Sequence, residues 1–254
     1  MSAPSPNQFN VLTALRSFLL AVLPTTGPDG KPVSVIAAQQ NRIAEPAGTS
    51  YVIMTPIRFE RIETNIDSAD DSKFTGSISG ATMTVTAFDP NLNGPISVGS
   101  VIFGAGVANP TTVTALGSGT GGTGTYTVSP SQTVGSETLS AGQSRIQQNQ
   151  KWFIQLDFHG DPANDISGDM STTVSTLLRD AYGVSLFSGQ SPDLGIRPLY
   201  GDDPRQTPFL NEEQQIENRW VLEAVLQANA VVTVPQQYAD SATLGLADVN
   251  ALFP

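Results

Sequence analysis

The chain has 254 residues, enough for one or two domains with a buried core, and its 23 acidic and 12 basic side chains give a net charge of −11. That balance excludes a basic nucleic-acid footprint and disfavours binding to anionic membranes. With no cysteine there is no disulfide framework and no thiolate chemistry.

No apolar run approaches the ~18 residues of a spanning helix. The start, MSAPSPNQFN, lacks the basic and apolar regions of a signal peptide. A soluble chain made in a cytoplasm is expected. Residues 1–7 read as a loose arm with Pro4 and Pro6. Asn7 is placed to cap a helix whose apolar face is Phe9, Leu12, Leu15, Phe18, Leu19, Val22 and Leu23, and Pro24 stops it. After the turn cluster TTGPDGKP, Val33–Ala38 reads as a short strand. Tyr51–Arg61 alternates, with Tyr51, Ile53, Ile57 and Phe59 on one face and Arg58 and Glu60 on the other. Pro56 marks a bulge or an edge.

The composition then changes. From Phe74 to Ser136 the only charged residue is Asp89, and short runs such as ATMTVTAF, GSVIFG, TTVTAL and GTYTVSP read as small strands joined by Gly-rich turns. Apolar beats at Val85, Phe88, Val98, Val101, Ile102, Phe103, Val113, Leu116, Tyr126 and Val128 argue for an ordered all-β module rather than a linker. It is expected as an insert over 67–144, within a host domain of 1–66 plus 145–254.

Alternation returns in KWFIQLDFHG. Trp152, Ile154, Leu156 and Phe158 point one way; Lys151, Phe153, Gln155, Asp157 and His159 point the other. A single helix follows, with Ile166, Met170, Val174, Leu177, Leu178 and Ala181 inward and Gly183 at its end. Ile196–Tyr200 reads as a strand and GDDPRQTPFLNEE as a polar loop.

Arg219–Val234 dominates the C-terminal part. Every second residue from Trp220 to Val234 is apolar, which reads as one strand with a buried face. At ~3.3 Å per residue it would span roughly 50 Å, well beyond an ordinary strand. Such a strand must bend, cross a large sheet or reach a neighbouring subunit. A tail with a short helix around Ala242–Leu252 is expected after it. The host domain is therefore expected to be α+β: an antiparallel sheet of Tyr51–Arg61, Lys151–His159 and Arg219–Val234, with helices on its apolar face.

Chemical motifs are weak. Gly117-x-Gly119-x-x-Gly122 matches a dinucleotide fingerprint on paper, but strand-like sequence follows it, so turn glycines are the better reading. His159 and Asp157 share a strand face, yet no serine has nucleophile-elbow context. Asp161, Asp165 and Asp169 are spaced for an exposed helix face rather than a calcium loop. Asp157, Glu223, Asp202 and Asp203 could supply a glycosidase carboxylate pair, but nothing in the sequence brings two together. No catalytic residue, cofactor or metal is assigned. Asp202, Asp203, Glu212, Glu213 and Glu217 read as a solvated loop or as an acidic rim past which DNA slides.

Three segments together carry a resemblance. Gln39–Asn65, with Asn41, Arg42, Glu45, Pro46, Met54, Thr55, Pro56, Thr64 and Asn65, resembles the N-terminal signature of the bacteriophage neck/tail terminator family. Phe209–Ala242 resembles its C-terminal signature through Asn211, Glu212, Glu213, Gln214, Arg219, Trp220, Gln227, Asn229, Pro235 and Gln236. Gly195–Gln206 is compatible with the stretch between them. Gly99–Ser136 separately resembles a Gly/Thr-rich β module of phage virion proteins.

The resemblance implies a non-enzymatic virion protein. It would form a ring, expected to be a hexamer, that caps the tail tube and joins the tail to the head–tail connector. Its partners would be itself, tube and connector subunits, and the sheath if the tail contracts, with DNA passing through unbound and no membrane involved. Subunit contacts are then expected at Arg219, Trp220, Asn229, Val231, Thr233, Pro235, Gln236 and Tyr238. The competing expectation is a surface- or carbohydrate-binding module acting through the insert.

Overall fold

The computed structural model describes residues 4–38, 46, 48–70, 72–90, 94–161, 163–207, 209–210 and 216–237. The expected tail helix, Tyr238, Glu212, Glu213 and, of the N-terminal signature, Asn41, Arg42 and Glu45 lie outside these residues, as do Asn211 and Gln214. The described residues form two compact units. One comprises 67–145 and 233–237; the other comprises 4–66 and 146–232.

In the larger unit, α1 (Gln8–Val22) begins where the sequence said it should. The Asn7 side chain accepts from the Asn10 N–H, and the Asn10 side chain accepts from the Asn7 N–H, a reciprocal cap. Leu23, ahead of Pro24, is extended, as the residue before proline prefers. The buried stripe is Val11, Ala14, Leu15, Phe18 and Leu19. Phe9, expected inside, is exposed.

The strands of this unit are β1 (Ser34–Ala37), β2 (Tyr51–Arg61), most of β8 (Gln143–Gly160), β9 (Arg197–Gly201), β10 (Arg205–Gln206), β11 (Phe209–Leu210) and most of β12 (Ile216–Pro235). Their sheet order is β1-β2-β8-β12-β10, with β9 and β11 also paired to β12. β2 and β8 are antiparallel as expected. β1 runs parallel to β2, so the sheet is mixed rather than purely antiparallel. The loop expected over GDDPRQTPFLNEE contains the two short strands β10 and β11.

The β2 faces also differ from expectation. Val52, Met54 and Pro56 oppose Phe158, Leu156 and Ile154, and the register then shifts so that Phe59 opposes Trp152. Directly opposed residues share a face, so the bulge at Pro56–Ile57 switches the phase of the strand. Val52 and Met54 enter the core, while Tyr51 stacks on His159 on the opposite face at 4.4 Å.

The single helix expected after β8 is two: α2 (Ile166–Leu178) and α3 (Ala181–Gln190). Asp180 caps α3 by accepting from the Tyr182 N–H. Gly183 does not terminate a helix. A Cβ there would lie 2.1 Å from the Leu177 carbonyl oxygen, so only glycine permits this approach. The core packs Leu15, Phe18, Leu19, Met170, Val174, Leu178 and Phe187 from the helices against the sheet residues Val52, Met54, Ile154, Leu156, Phe158, Leu222, Ala224, Leu226 and Ala228. No helix among the described residues is long and apolar enough to cross a membrane.

The smaller unit holds a four-stranded sheet, β4-β7-β6-β5, whose paired neighbours are all antiparallel. Its strands are β4 (Lys73–Phe88), β5 (Val101–Ile102), β6 (Thr111–Leu116) and β7 (Gly124–Ser140); β3 (Ile66–Asp70) pairs with β8. Two of them are far longer than the small strands expected. Glycines hid their length: the β4–β7 register shifts after Gly76 and again at Gly80, where φ is +64°, so a continuous strand bends and its alternation breaks. Phe74, Ile78, Met83, Val85, Ile102, Val113, Tyr126, Val128, Val134 and Leu139 form its core, whereas Val98 and Leu116 are exposed. Gly117, Gly119 and Gly122 lie in the β6–β7 connection, a turn between antiparallel strands. At Gly119 a Cβ would fall 2.5 Å from the Tyr126 ring. Among the described residues the chain is thus mainly β with three α-helices, so the expected α+β sheet flanked by helices is met only loosely.

Candidate assembly interface

β12 is the longest strand, 20 residues. From Leu222 to Ala230 its even-numbered residues are buried, as the alternation requires. The opposite face is not simply polar: Val225 is fully buried.

Arg219 does not project as a free contact. Its Nε donates to Asp157 Oδ1 at 3.0 Å, and the carboxylate also accepts from Gln155 Nε2 at 2.9 Å. Asp157 is 5% exposed, so this ion pair joins β8 to β12 inside the subunit. The Trp220 indole donates to Asp165 Oδ1 at 3.3 Å, and Asn218 Nδ2 donates to the same oxygen at 2.6 Å. Asp165 therefore ties the start of α2 to β12. Asp161 accepts from the Ala163 N–H. No cluster of three or more His, Asp or Glu among the described residues is placed to hold a metal ion.

Beyond Arg219, the outward edge of β12 is covered unevenly. β10 pairs with Trp220 and Val221, and β9 with Ala224–Gln227. Past Gln227 the partner on that edge among the described residues is one residue of the N-terminal arm: Ser5 N–H donates to Val231 O at 3.1 Å and Val231 N–H donates to Ser5 O at 2.8 Å. Sequence reasoning pointed to this end of the strand but missed Ser5, because no local pattern signals a bridge between residues 226 positions apart. The Asn229 side chain accepts from Gln227 Nε2 at 3.0 Å. In the smaller unit, the Gln236 N–H donates to Gly142 O at 2.9 Å. Thr233 and Pro235 line a cleft there with Pro95, Val98 and Arg145.

The proposed acidic rim is only partly described. Asp203 is almost fully exposed, 3.9 Å from Arg179, and Asp202 is half-buried. Glu217 opposes Phe209 in the β11–β12 pairing.

A second exposed feature lies on β2. Ile57 and Phe59 are 47% and 54% exposed; Phe59 stacks on Trp152 at 5.1 Å, and the Arg58 guanidinium sits 3.9 Å above the Phe153 ring. Together, two partly covered strand edges and exposed apolar side chains can support protein contacts. A family model described as phage neck terminator protein matches residues 108–248, more than half of the chain. The chain belongs to the phage neck terminator family.

The matched stretch takes in β6 to β9, α2, α3 and β12. The C-terminal signature falls within it, whereas Gln39–Asn65 precedes it. Nothing among the curated proteins matches the chain. The terminator family is structural rather than enzymatic, with a role in joining phage tail and head. Membership places this neck terminator in the neck or tail of a virion, among other head and tail proteins.

Proposed function

We propose that the chain is the subunit of a closed ring, six copies around, that caps the tail tube and joins it to the head–tail connector. The family match through β8 and β12 carries this reading. The central channel passes DNA without binding it. The net charge of −11 favours that, since acidic walls repel phosphate, and Asp202, Asp203, Glu212, Glu213 and Glu217 are the proposed rim. Tube subunits contact one face and connector subunits the other, with the sheath as a further partner of a contractile tail. The ring assembles in the host cytoplasm.

Infection with phage lacking this chain tests the reading. Tubes of uncontrolled length and filled heads without tails are expected, with both defects reversed by supplying the protein. Tails of normal length joined to heads in its absence would sink the reading.

One observation favours a separate task for the insert. Thr82 opposes Thr127 and Thr84 opposes Thr125, placing rows of hydroxyls on a sheet with almost no charge. That surface suits neutral glycans on a host cell. Deleting Asp67–Ser144 then abolishes adsorption while leaving tail joining intact; loss of joining instead makes the insert part of the joint.

A further inference from the structure

Two stretches of main-chain edge in the larger unit's sheet lack a partner strand among the described residues. The first is Ala228–Val232 of β12, where β9 has ended and Ser5 supplies the outward partner. Ser5 lies between Pro4 and Pro6, which have no N–H to donate, so the arm makes one bridge and cannot extend it as a ladder. Ser5 is exposed and Pro6 is buried, which anchors the strap on one side only.

The second stretch is Ile57–Arg61 of β2. β1 covers β2 only from Tyr51 to Met54, and no strand among the described residues pairs with the outer edge beyond it. Ile57 and Phe59 are exposed there.

The stretches lie on opposite sides of the order β1-β2-β8-β12. An edge that meets the opposite edge of an identical subunit makes a head-to-tail contact, the kind that closes into a ring. Strand addition also supplies main-chain hydrogen bonds, with side chains setting specificity. We infer that Ala228–Val232 of one copy pairs with Ile57–Arg61 of the next, and that Ser5 occupies this β12 edge in the free subunit. Assembly exchanges one bridge for a ladder and buries Ile57 and Phe59. The strap thus shields the edge from indiscriminate pairing until the correct neighbour displaces it. This inference rests on the ring reading.

Three variants of the full chain test it, read by analytical ultracentrifugation and native mass spectrometry. Ser5→Pro removes the strap's donor and is expected to assemble at a concentration at least about fivefold lower than the unmodified chain, the scale of one net hydrogen bond. Val231→Pro removes a donor that points away from β8. Ile57→Lys charges an exposed position on the other edge.

Val231→Pro and Ile57→Lys should each stay monomeric where the unmodified chain forms rings. Mixed together they should form one-to-one dimers, because each retains the edge the other lacks. Rings from either variant alone, no dimer in the mixture, or weaker assembly of Ser5→Pro would overturn the inference while leaving the ring reading standing. If the unmodified chain forms no closed oligomer, both fail. Should Val231→Pro misfold by circular dichroism, hydrogen exchange in the unmodified chain decides: slower exchange over residues 228–232 on assembly supports the inference, and unchanged exchange overturns it.

Discussion

The two units solve the same problem with different materials. The larger unit buries big side chains, Leu15, Phe18, Leu19, Phe158 and Phe187, between three helices and one face of a mixed sheet. The smaller unit has no helix among its described residues and relies on closeness instead. Gly119 lets the Tyr126 ring approach the backbone; the Gly121 N–H donates to the phenol oxygen at 3.0 Å, and that hydroxyl donates to Gly122 O at 2.6 Å. Burial pushes the Tyr126 phenol pKa up, with the Gly121 hydrogen bond opposing it. Long side chains under helices give one core; glycine-permitted contact and a bonded aromatic give the other. Layered cover and close backbone packing are alternative ways to exclude water from strands.

Three substitutions test that contrast. The largest effect is expected from Phe158→Ala, which empties a fully buried position between sheet and helices and should cost about 3–5 kcal/mol in denaturant unfolding. The loss should fall on the larger unit's transition alone, as followed by hydrogen exchange.

Next is Arg219→Met. It strands the buried Asp157 carboxylate and should cost about 3 kcal/mol. Replacing both partners, with Asp157→Leu added, should recover much of that loss, and a double-mutant cycle measures how much.

The smallest is Tyr126→Phe. It keeps the ring but deletes the hydroxyl, and should cost about 1–2 kcal/mol, confined to the smaller unit. A Tyr126→Phe loss spread equally over both units would erase the distinction between the two cores.

Much of this was legible because local chemistry dictated it. The Asn7 cap, the Pro24 stop and the bounds of Tyr51–Arg61 follow from side chains and nearest neighbours. The apolar row of β8 and that of β12 likewise survived folding. What escaped depended on distant partners or on a change of phase. The Pro56–Ile57 bulge reversed part of the β2 pattern, and the glycines of β4 disguised one strand as several.

The break between α2 and α3 turned on Asp180 capping a new helix, against the usual expectation that Gly183 ends one. For the proposed assembly surface, the unusual length of β12 was visible in the sequence. The inward turn of Arg219 toward Asp157 and the strap at Ser5 required the folded chain.

The proposed ring requires this neck terminator to assemble with itself. Native mass spectrometry of the purified chain, with electron microscopy of the same sample, tests it most directly. One closed oligomer of six copies is expected, visible as rings with an open centre. A monodisperse monomer at high protein concentration, with no ring in any field, would contradict it.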